Sequence, residues 1–577
     1  MDAMRRRMVT IRRVDTEEDA AILEVMRNRH VFPKGQRAWA LPLVLIVVIS
    51  IVILHGVRKG EFDYNVDEAQ HGVTGLFMAD AMRDLPLRHP IQYAYNYYAQ
   101  YPAVSIMHWP PLFYVFEGLN FLAQGPSAFS ARLTVMLFAV LLLYSWFRLV
   151  EDLQGTFTAA VATAVLGLVP AMLLFEKTVM LEIPSLALTV CSIRYWIHYL
   201  DSGRKSLLYA FGLWLSAALL CKQTSVFVLL FCFLTIVATG RWGRVWNRDA
   251  LMVGAIGCVL VGPFYGLMLV LQGRAVAHDL GSHQMAGLER WIFYLGTLPR
   301  LFTVPMFVLS LLGLVLAKRW NTKEQFTIMI CWLLAGYATF TFFGQREERF
   351  AIYWFPVLAY FAAGLLTQYF RIARVRFAMR AVAVVLVCFL AIQGWGYERP
   401  YISGYQNVAS QLVQGYGSGI VLFDGRVPGN FVFYMRALDP HRQFLVLRKS
   451  LYVNDVRRSA SSEELVQSRE DILDLLRNLG IRFIVVSDRD FEFKSQRILR
   501  DCLQSDQFQM LGRFPITSNQ RVWKGYNLLL YENKNWSPAA NKSLTIRMLT
   551  LPHDIVVPLD RFDFVRNSNG TAGQVGK

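Results

Sequence analysis

The sequence predicts a polytopic α-helical membrane protein of about eleven transmembrane helices, followed by an extracytoplasmic α/β domain. Three observations predict it. Of 577 residues, 54% are hydrophobic and only 18% charged, with a mean hydropathy of +0.33, which is too apolar for a set of soluble domains. Apolar runs approaching the roughly 20 residues that cross a bilayer recur from residue 39 to residue 396. After residue 397 the hydropathy falls and short strand-like runs take over.

The runs lie at 39–57, 129–149, 157–175, 182–200, 207–221, 224–239, 250–272, 298–317, 325–343, 350–369 and 377–396. The fifth and sixth are short, with Lys222 and Gln223 at their junction, and read either as two spans or as one re-entrant pair. Orientation follows from the Lys and Arg bias of short loops, because positive loops stay cytoplasmic. An inside N-terminus puts the segment 1–38 and the loops LVEDLQGT, DSGRKS, TGRWGRVWNRDA, AKRWNTKE and RIARVR in the cytoplasm, all but LVEDLQGT clearly basic. It puts the loop 58–128, the link EKTVMLE, the loop 273–297, GQREER and everything after 397 outside. The net charge of +17 is spread over short loops and forms no continuous basic face, so topology accounts for it and nucleic acid does not. The segment 1–38 has no apolar core, so span one is expected to anchor the chain. Its basic residues suit contact with anionic lipid heads. Six of the seven cysteines fall in apolar runs and Cys502 alone lies beyond them, a pattern without a disulfide framework.

Within the outer loop, HWPPLFYVFEGLNFL (108–122) is aromatic and too interrupted to span, so it reads as a helix lying in the interface. The region 397–577 contains strand-like GIVLFDG (419–425), FVFY (431–434), QFLVLR (443–448), IRFIVVSD (481–488) and NLLLY (527–531). Residues 461–480 have helical periodicity, with Ser461 and Glu464 as a capping box and Gly480 as the stop.

The chemistry gathers at the outer face. Asp67 and Glu68 stand ten residues beyond span one in FDYNVDEAQHG, Glu182 at the mouth of span four in MLEIPSLAL, Lys222 between spans five and six, and Arg346 and Arg349 before span ten in QREERFAIYWFP. Isolated acids are usually solvated loop residues, but a carboxylate beside an apolar helix is costly without a partner. Three carboxylates suit deprotonation of a hydroxyl or capture of a divalent cation, and one Lys with two Arg suits a phosphate. That division fits sugar transfer from a lipid phosphate. The acceptor hydroxyl needs a base, and the departing phosphate needs cations.

The order VDEAQHG, HWPPLFY, FSARLTVMLFAVLLLYSWFRL, MLEIPSLAL, LLCKQTSVFVLL and R-x-x-R-F resembles the GT-C glycosyltransferases of the dolichyl-phosphate-mannose protein mannosyltransferase superfamily. That superfamily includes aminoarabinose transferases acting on lipid A. The resemblance covers roughly residues 40–396 and implies a polyprenyl-phosphate sugar donor, an extracytoplasmic acceptor and inversion at the anomeric carbon. It makes Asp67 the essential acid of the first outer loop, with Glu68 completing the pair and Glu182 matching a second acid that is usually Asp. His108, with Pro110 and Pro111, matches a His-Pro-Pro-Leu stretch except for the inserted Trp109. Some relatives carry Lys near that point to meet the lipid phosphate; its absence moves the task to Lys222, Arg346 or Arg349.

Arg132 matches a recurring Arg of the family and is equally suited to snorkelling at the end of span two. His71, His278 and His283 are able to join His108 in a metal site, although their spacing is not diagnostic. The tyrosines of QYAYNYYAQY (Tyr93, Tyr95, Tyr97, Tyr98) suit either sugar stacking or an interfacial belt. The rival readings are a transporter or flippase of lipid-linked substrates, expected to show paired repeats and broken helices at the membrane midplane, and a non-catalytic scaffold, expected to keep the acids and cations apart. The compartment expected is a bacterial inner membrane, with the N-terminus cytoplasmic. No motif selects the donor sugar or the acceptor.

Overall fold

The computed structural model describes residues 40–562, apart from 64, 106, 283–287, 344–345, 371, 456–461, 490 and 548–552. The basic segment 1–38 therefore lies outside the described residues.

Each of the eleven apolar runs falls on helix. The first is α1 (Ala40–Leu54). The outer loop then folds into α2 (Val66–Asp84), α3 (Pro90–Gln100) and α4 (Leu112–Gln124). There follow α5 (Ala128–Gln154), α6 (Thr156–Leu168), α7 (Pro170–Glu176), α8 (Glu182–Ser202), α9 (Lys205–Cys221), α10 (Phe227–Thr239) and α11 (Arg248–Ser282). The set closes with α12 (Leu288–Leu301), α13 (Val304–Leu316), α14 (Lys323–Phe342), α15 (Phe355–Thr367) and α16 (Ala373–Trp395). Among the described residues five helices are long and apolar enough to cross a membrane, and up to seven if each bent pair counts as one span. The bends are 69° between α6 and α7, where Pro170 cannot continue the ladder, and 116° between α12 and α13, where Thr303 has φ +65°. The most apolar faces of α11 and α16 point outward, with Val259, Val270, Phe377 and Val385 exposed, as helices solvated by lipid require.

The outer loop packs tightly. Helices α2 and α4 approach so closely that a Cβ on Gly118 would stand 2.9 Å from the Ala79 nitrogen, and one on Gly75 would collide with the Glu117 carboxylate. At Gly118, where the neighbour is backbone, a side chain would force the two helices apart.

The region after 397 is an α/β domain. Its main sheet has the order β2-β1-β3-β5-β4, where β1 is Gly419–Asp424, β2 Phe444–Arg448, β3 Phe483–Ser487, β4 Phe508–Pro515 and β5 Asn527–Asn533. The first three are parallel and read as continuous apolar runs, because both their faces are covered; β5 and β4 join antiparallel. Four of the five strand-like runs become these strands. FVFY does not: it lies inside the helix Pro428–Leu438, because parallel β1 and β2 need a crossover and Pro428 opens one. The helix expected over 461–480 is Arg469–Asn478, capped by Ser468 and Asp471, while Ser462–Glu464 is a short strand. Ser461 lies outside the described residues. Gly480, at φ +63°, is the stop as expected. Strand β4 was not foreseen, being an edge strand with mostly exposed residues and an irregular register near Gly512.

Acids of the outer loop hold this domain in place. Glu61 accepts from the backbone N–H groups of Gly404, Tyr405 and Gln406 at 3.0, 3.1 and 3.0 Å, where the helix Tyr405–Tyr416 begins. An anion at a helix N-terminus completes donors that have no partner within the helix. Asp63 accepts from Trp523 Nε1 at 3.1 Å, and Asp80 receives Arg436 through Nε at 2.7 Å and Nη2 at 2.5 Å. Helix α2 thus starts at the candidate site and ends against the α/β domain.

Candidate active site

Four residues far apart in the chain meet where helices begin or break. Asp67 lies in the first turn of α2, after Asn65, whose side chain accepts from the Asp67 N–H at 2.6 Å. Glu182 is the first residue of α8, and both acids are favoured at these positive helix ends. Lys222 occupies the extended break (φ −157°, ψ 139°) between α9 and the 3₁₀ turn Gln223–Val226. Arg349 lies in the 3₁₀ turn Glu348–Trp354 that leads into α15.

Arg349 joins them. Its Nη1 donates to Asp67 Oδ2 at 2.8 Å, its Nε stands 3.3 Å from Glu182 Oε1, and its Nη2 donates to Glu347 Oε1 at 2.9 Å. Lys222 Nζ donates to the same Glu182 Oε1 at 2.5 Å. Glu182 is fully buried, whereas the Asp67 side chain keeps 23% of its exposure. A polar seam behind the cluster fixes its walls. The Tyr353 hydroxyl meets Ser185 of α8 at 2.8 Å and Thr224 at 2.6 Å, and Ser185 meets Ser225 at 2.8 Å. Burial draws the Lys222 ammonium below its ordinary value, against the upward pull of Glu182.

His108 is brought alongside, since its carbonyl accepts from Gln223 Nε2 at 2.8 Å and its exposed ring stands 4.4 Å from that of Trp109. Arg346 is half-buried in the segment before the 3₁₀ turn, and no contact to Asp67, Glu182 or Lys222 is seen.

Glu68 faces away from Asp67. It is fully buried, accepts from the backbone N–H of Asp63 at 3.0 Å and of Val179 at 3.1 Å, and lies 3.7 Å from Arg132 Nε. Arg132 does not snorkel. It is fully buried and donates to the carbonyls of Val57, Gly60 and Glu61 at 3.0, 3.0 and 2.8 Å, clamping the start of the outer loop. Sequence reasoning missed Glu347, Glu61 and the pairing of His71 with Tyr114. Glu347 alone carried a local signal, being two residues from Arg349.

Among the described residues no three His, Cys, Asp or Glu side chains group as a metal site requires. The side chains of His278 and His283 lie outside the described residues, so the four-histidine arrangement has only His71 and His108 in view. All seven cysteines are free thiols.

The family model described as dolichyl-phosphate-mannose-protein mannosyltransferase matches residues 108–265. The fold is similar to the crystal structure of ArnT from Cupriavidus metallidurans bound to undecaprenyl phosphate, at 13% identity and TM-score 0.58, covering 85% of this chain and 98% of that one. The match to that family model covers about a quarter of the chain, and the likeness to ArnT is one of fold. Other GT-C folds resemble it at 13% identity. The arabinofuranosyltransferase AftD from Mycobacteria has TM-score 0.52, with 89% of this chain and 41% of that one covered. The oligosaccharyltransferase of Archaeoglobus fulgidus, in complex with Zn and sulfate, has TM-score 0.50, with 78% and 68% covered. No curated protein sequence matches this chain. The matched segment 108–265 contains His108, Arg132, Glu182 and Lys222, while Asp67, Glu68, Arg346 and Arg349 lie outside it.

Proposed function

We propose that this chain is a membrane glycosyltransferase of the GT-C type that moves a sugar from a polyprenyl-phosphate donor to an acceptor hydroxyl outside the cytoplasm, with inversion. The observation that carries the reading is the convergence of Asp67, Glu182, Lys222 and Arg349 through hydrogen-bonded ion pairs. A scaffold gives no reason for this convergence. A transporter gains no support from charges placed at the ends of the apolar runs and not halfway along them.

In this reading the acceptor oxygen attacks the anomeric carbon and its proton passes to Asp67. The bond from that carbon to the donor phosphate breaks, and the polyprenyl phosphate leaves with its charge met by Lys222 and Arg349. Asp67 at rest is held by Arg349. A phosphate that draws Arg349 toward itself frees the carboxylate, so donor binding prepares the base. Glu182 holds both cations in place. Glu68 and Arg132 set the position of the outer loop and touch no substrate, and His108, exposed beside Gln223, lies on the approach to Lys222. ArnT was solved with undecaprenyl phosphate, which supports a lipid carrier of that class here. The basic loops support a cytoplasmic N-terminus and an outward α/β domain.

The test uses purified chain and a lipid extract rich in polyprenyl-phosphate sugars. Wild-type protein with acceptor-containing envelope material should convert one such lipid to free polyprenyl phosphate, and Asp67→Asn should not. Equal conversion by both would defeat the assignment.

A further inference from the structure

His71 lies one turn after Asp67 on α2, and the reaction outlined above leaves it without a task. Its imidazole is 1% exposed, with Nδ1 2.7 Å from the Tyr114 hydroxyl of α4 and its ring 4.4 Å from that of Trp109. The charged and titratable groups it feels are Glu182, Lys222, Arg349 and His108, the members of the candidate site.

The proton positions follow from the surroundings. Burial holds His71 well below the ordinary imidazole value, so the ring is neutral, and burial with the nearby Glu117 holds the Tyr114 phenol well above its own, so it keeps its proton. Leaving a buried O–H without an acceptor costs about 1–3 kcal/mol. Among the described residues the hydrogen bond of that phenol is to His71 Nδ1. Tyr114 therefore donates, Nδ1 supplies the lone pair, and the single N–H of the neutral ring sits on Nε2. Such a ring cannot act as a base at Nε2. It is a neutral hydrogen-bond donor there.

We infer that His71, its tautomer fixed by Tyr114, donates from Nε2 to a phosphate oxygen of the polyprenyl-phosphate donor. The inference rests on the reading of the cluster as the sugar-transfer site. Lys222 and Arg349 each answer to carboxylates as well as to the phosphate, and a third cation would compete for Asp67 and Glu182. A neutral donor adds a directed hydrogen bond without that competition, and it leaves Asp67 as the base.

Two measurements on the full-length protein in detergent test this. Binding of undecaprenyl phosphate, read by native mass spectrometry, is compared for wild type, His71→Phe and His71→Gln, with melting temperatures to show that each variant is folded. The glutamine amide carries N–H near the place of Nε2. His71→Phe should weaken binding about tenfold or more, the worth of a hydrogen bond to a charged group, and His71→Gln should recover most of it. Unchanged binding by His71→Phe, or a glutamine variant as weak as the phenylalanine one, overturns the proposal. The second measurement needs no ligand: 15N-histidine spectra, with the His71 signals assigned by their loss in His71→Gln. They should show an unprotonated Nδ1 in the wild type and a mixture of tautomers in Tyr114→Phe. A protonated Nδ1 in the wild type overturns the tautomer assignment. If wild-type protein fails to bind the lipid while the spectra show the expected tautomer, the failure belongs to the reading of the site.

Discussion

Arg349 Nη1 lies 2.8 Å from Asp67 Oδ2, an ion pair that ties the first outer loop to a turn 282 residues later in the chain. The same guanidinium reaches Glu182, so one side chain links three segments. Replacing Arg349 by Met removes a cation from the departing phosphate and should slow transfer by about 10²-fold or more, the scale of losing one charge-stabilising donor. Arg349→Lys should recover part of the rate, since it restores charge without the fork. Steady-state turnover of the lipid donor measures both, and equal rates for Met and wild type would remove Arg349 from the reaction.

Glu182 and Lys222 form a buried pair, and breaking one partner leaves the other charged in an apolar wall. Glu182→Gln should destabilise the protein by about 3–5 kcal/mol. The double variant Glu182→Gln with Lys222→Met should regain much of the melting temperature without regaining transfer. Purely additive losses would show that the two do not interact.

Adjacent Asp67 and Glu68 should separate cleanly. Glu68 is enclosed with Arg132 and two backbone N–H groups, so Glu68→Gln should lower melting temperature and yield. Asp67→Asn, at a partly exposed position, should leave both near wild type. A Glu68→Gln protein of normal stability without transfer would give Glu68 a chemical role.

One contact between the outer loop and the α/β domain, that of Asp84 with Arg442, should be acid-sensitive. Burial pushes the Asp84 carboxyl up, but the hydrogen bonds from Arg442 and Tyr93 outweigh it and leave it below its ordinary value of 3.8. A depressed carboxyl binds fewer protons folded than unfolded, so its contribution is present above that value and is lost as pH falls below it. Melting temperature should therefore drop more steeply below about pH 4 in wild type than in Asp84→Asn. Parallel curves would contradict this.

Much of the architecture was legible because lipid and water impose strong patterns. The apolar runs marked the helices, and continuous runs such as IVLF and FIVV marked the parallel strands. FVFY misled because an aromatic tetrad has no period of its own, and the crossover that makes it helical is a tertiary demand. Asp67, Glu182, Lys222 and Arg349 were legible as polar residues at the mouths of apolar helices. That Glu68 and Arg132 turn to the backbone was not, since adjacent helix residues point in directions that only packing decides. The Tyr114 partner of His71 was hidden by a separation of 43 positions.

The central claim is that this cluster consumes a polyprenyl-phosphate sugar. The most direct measurement is mass spectrometry of the polyprenyl-linked sugars in cells whose only copy of the chain is either wild type or Asp67→Asn. One polyprenyl-phosphate sugar should accumulate in the Asp67→Asn cells and be depleted in the wild type, and its mass will name the class of sugar. Identical profiles in the two, with equal amounts of folded protein in the membrane, would contradict the account.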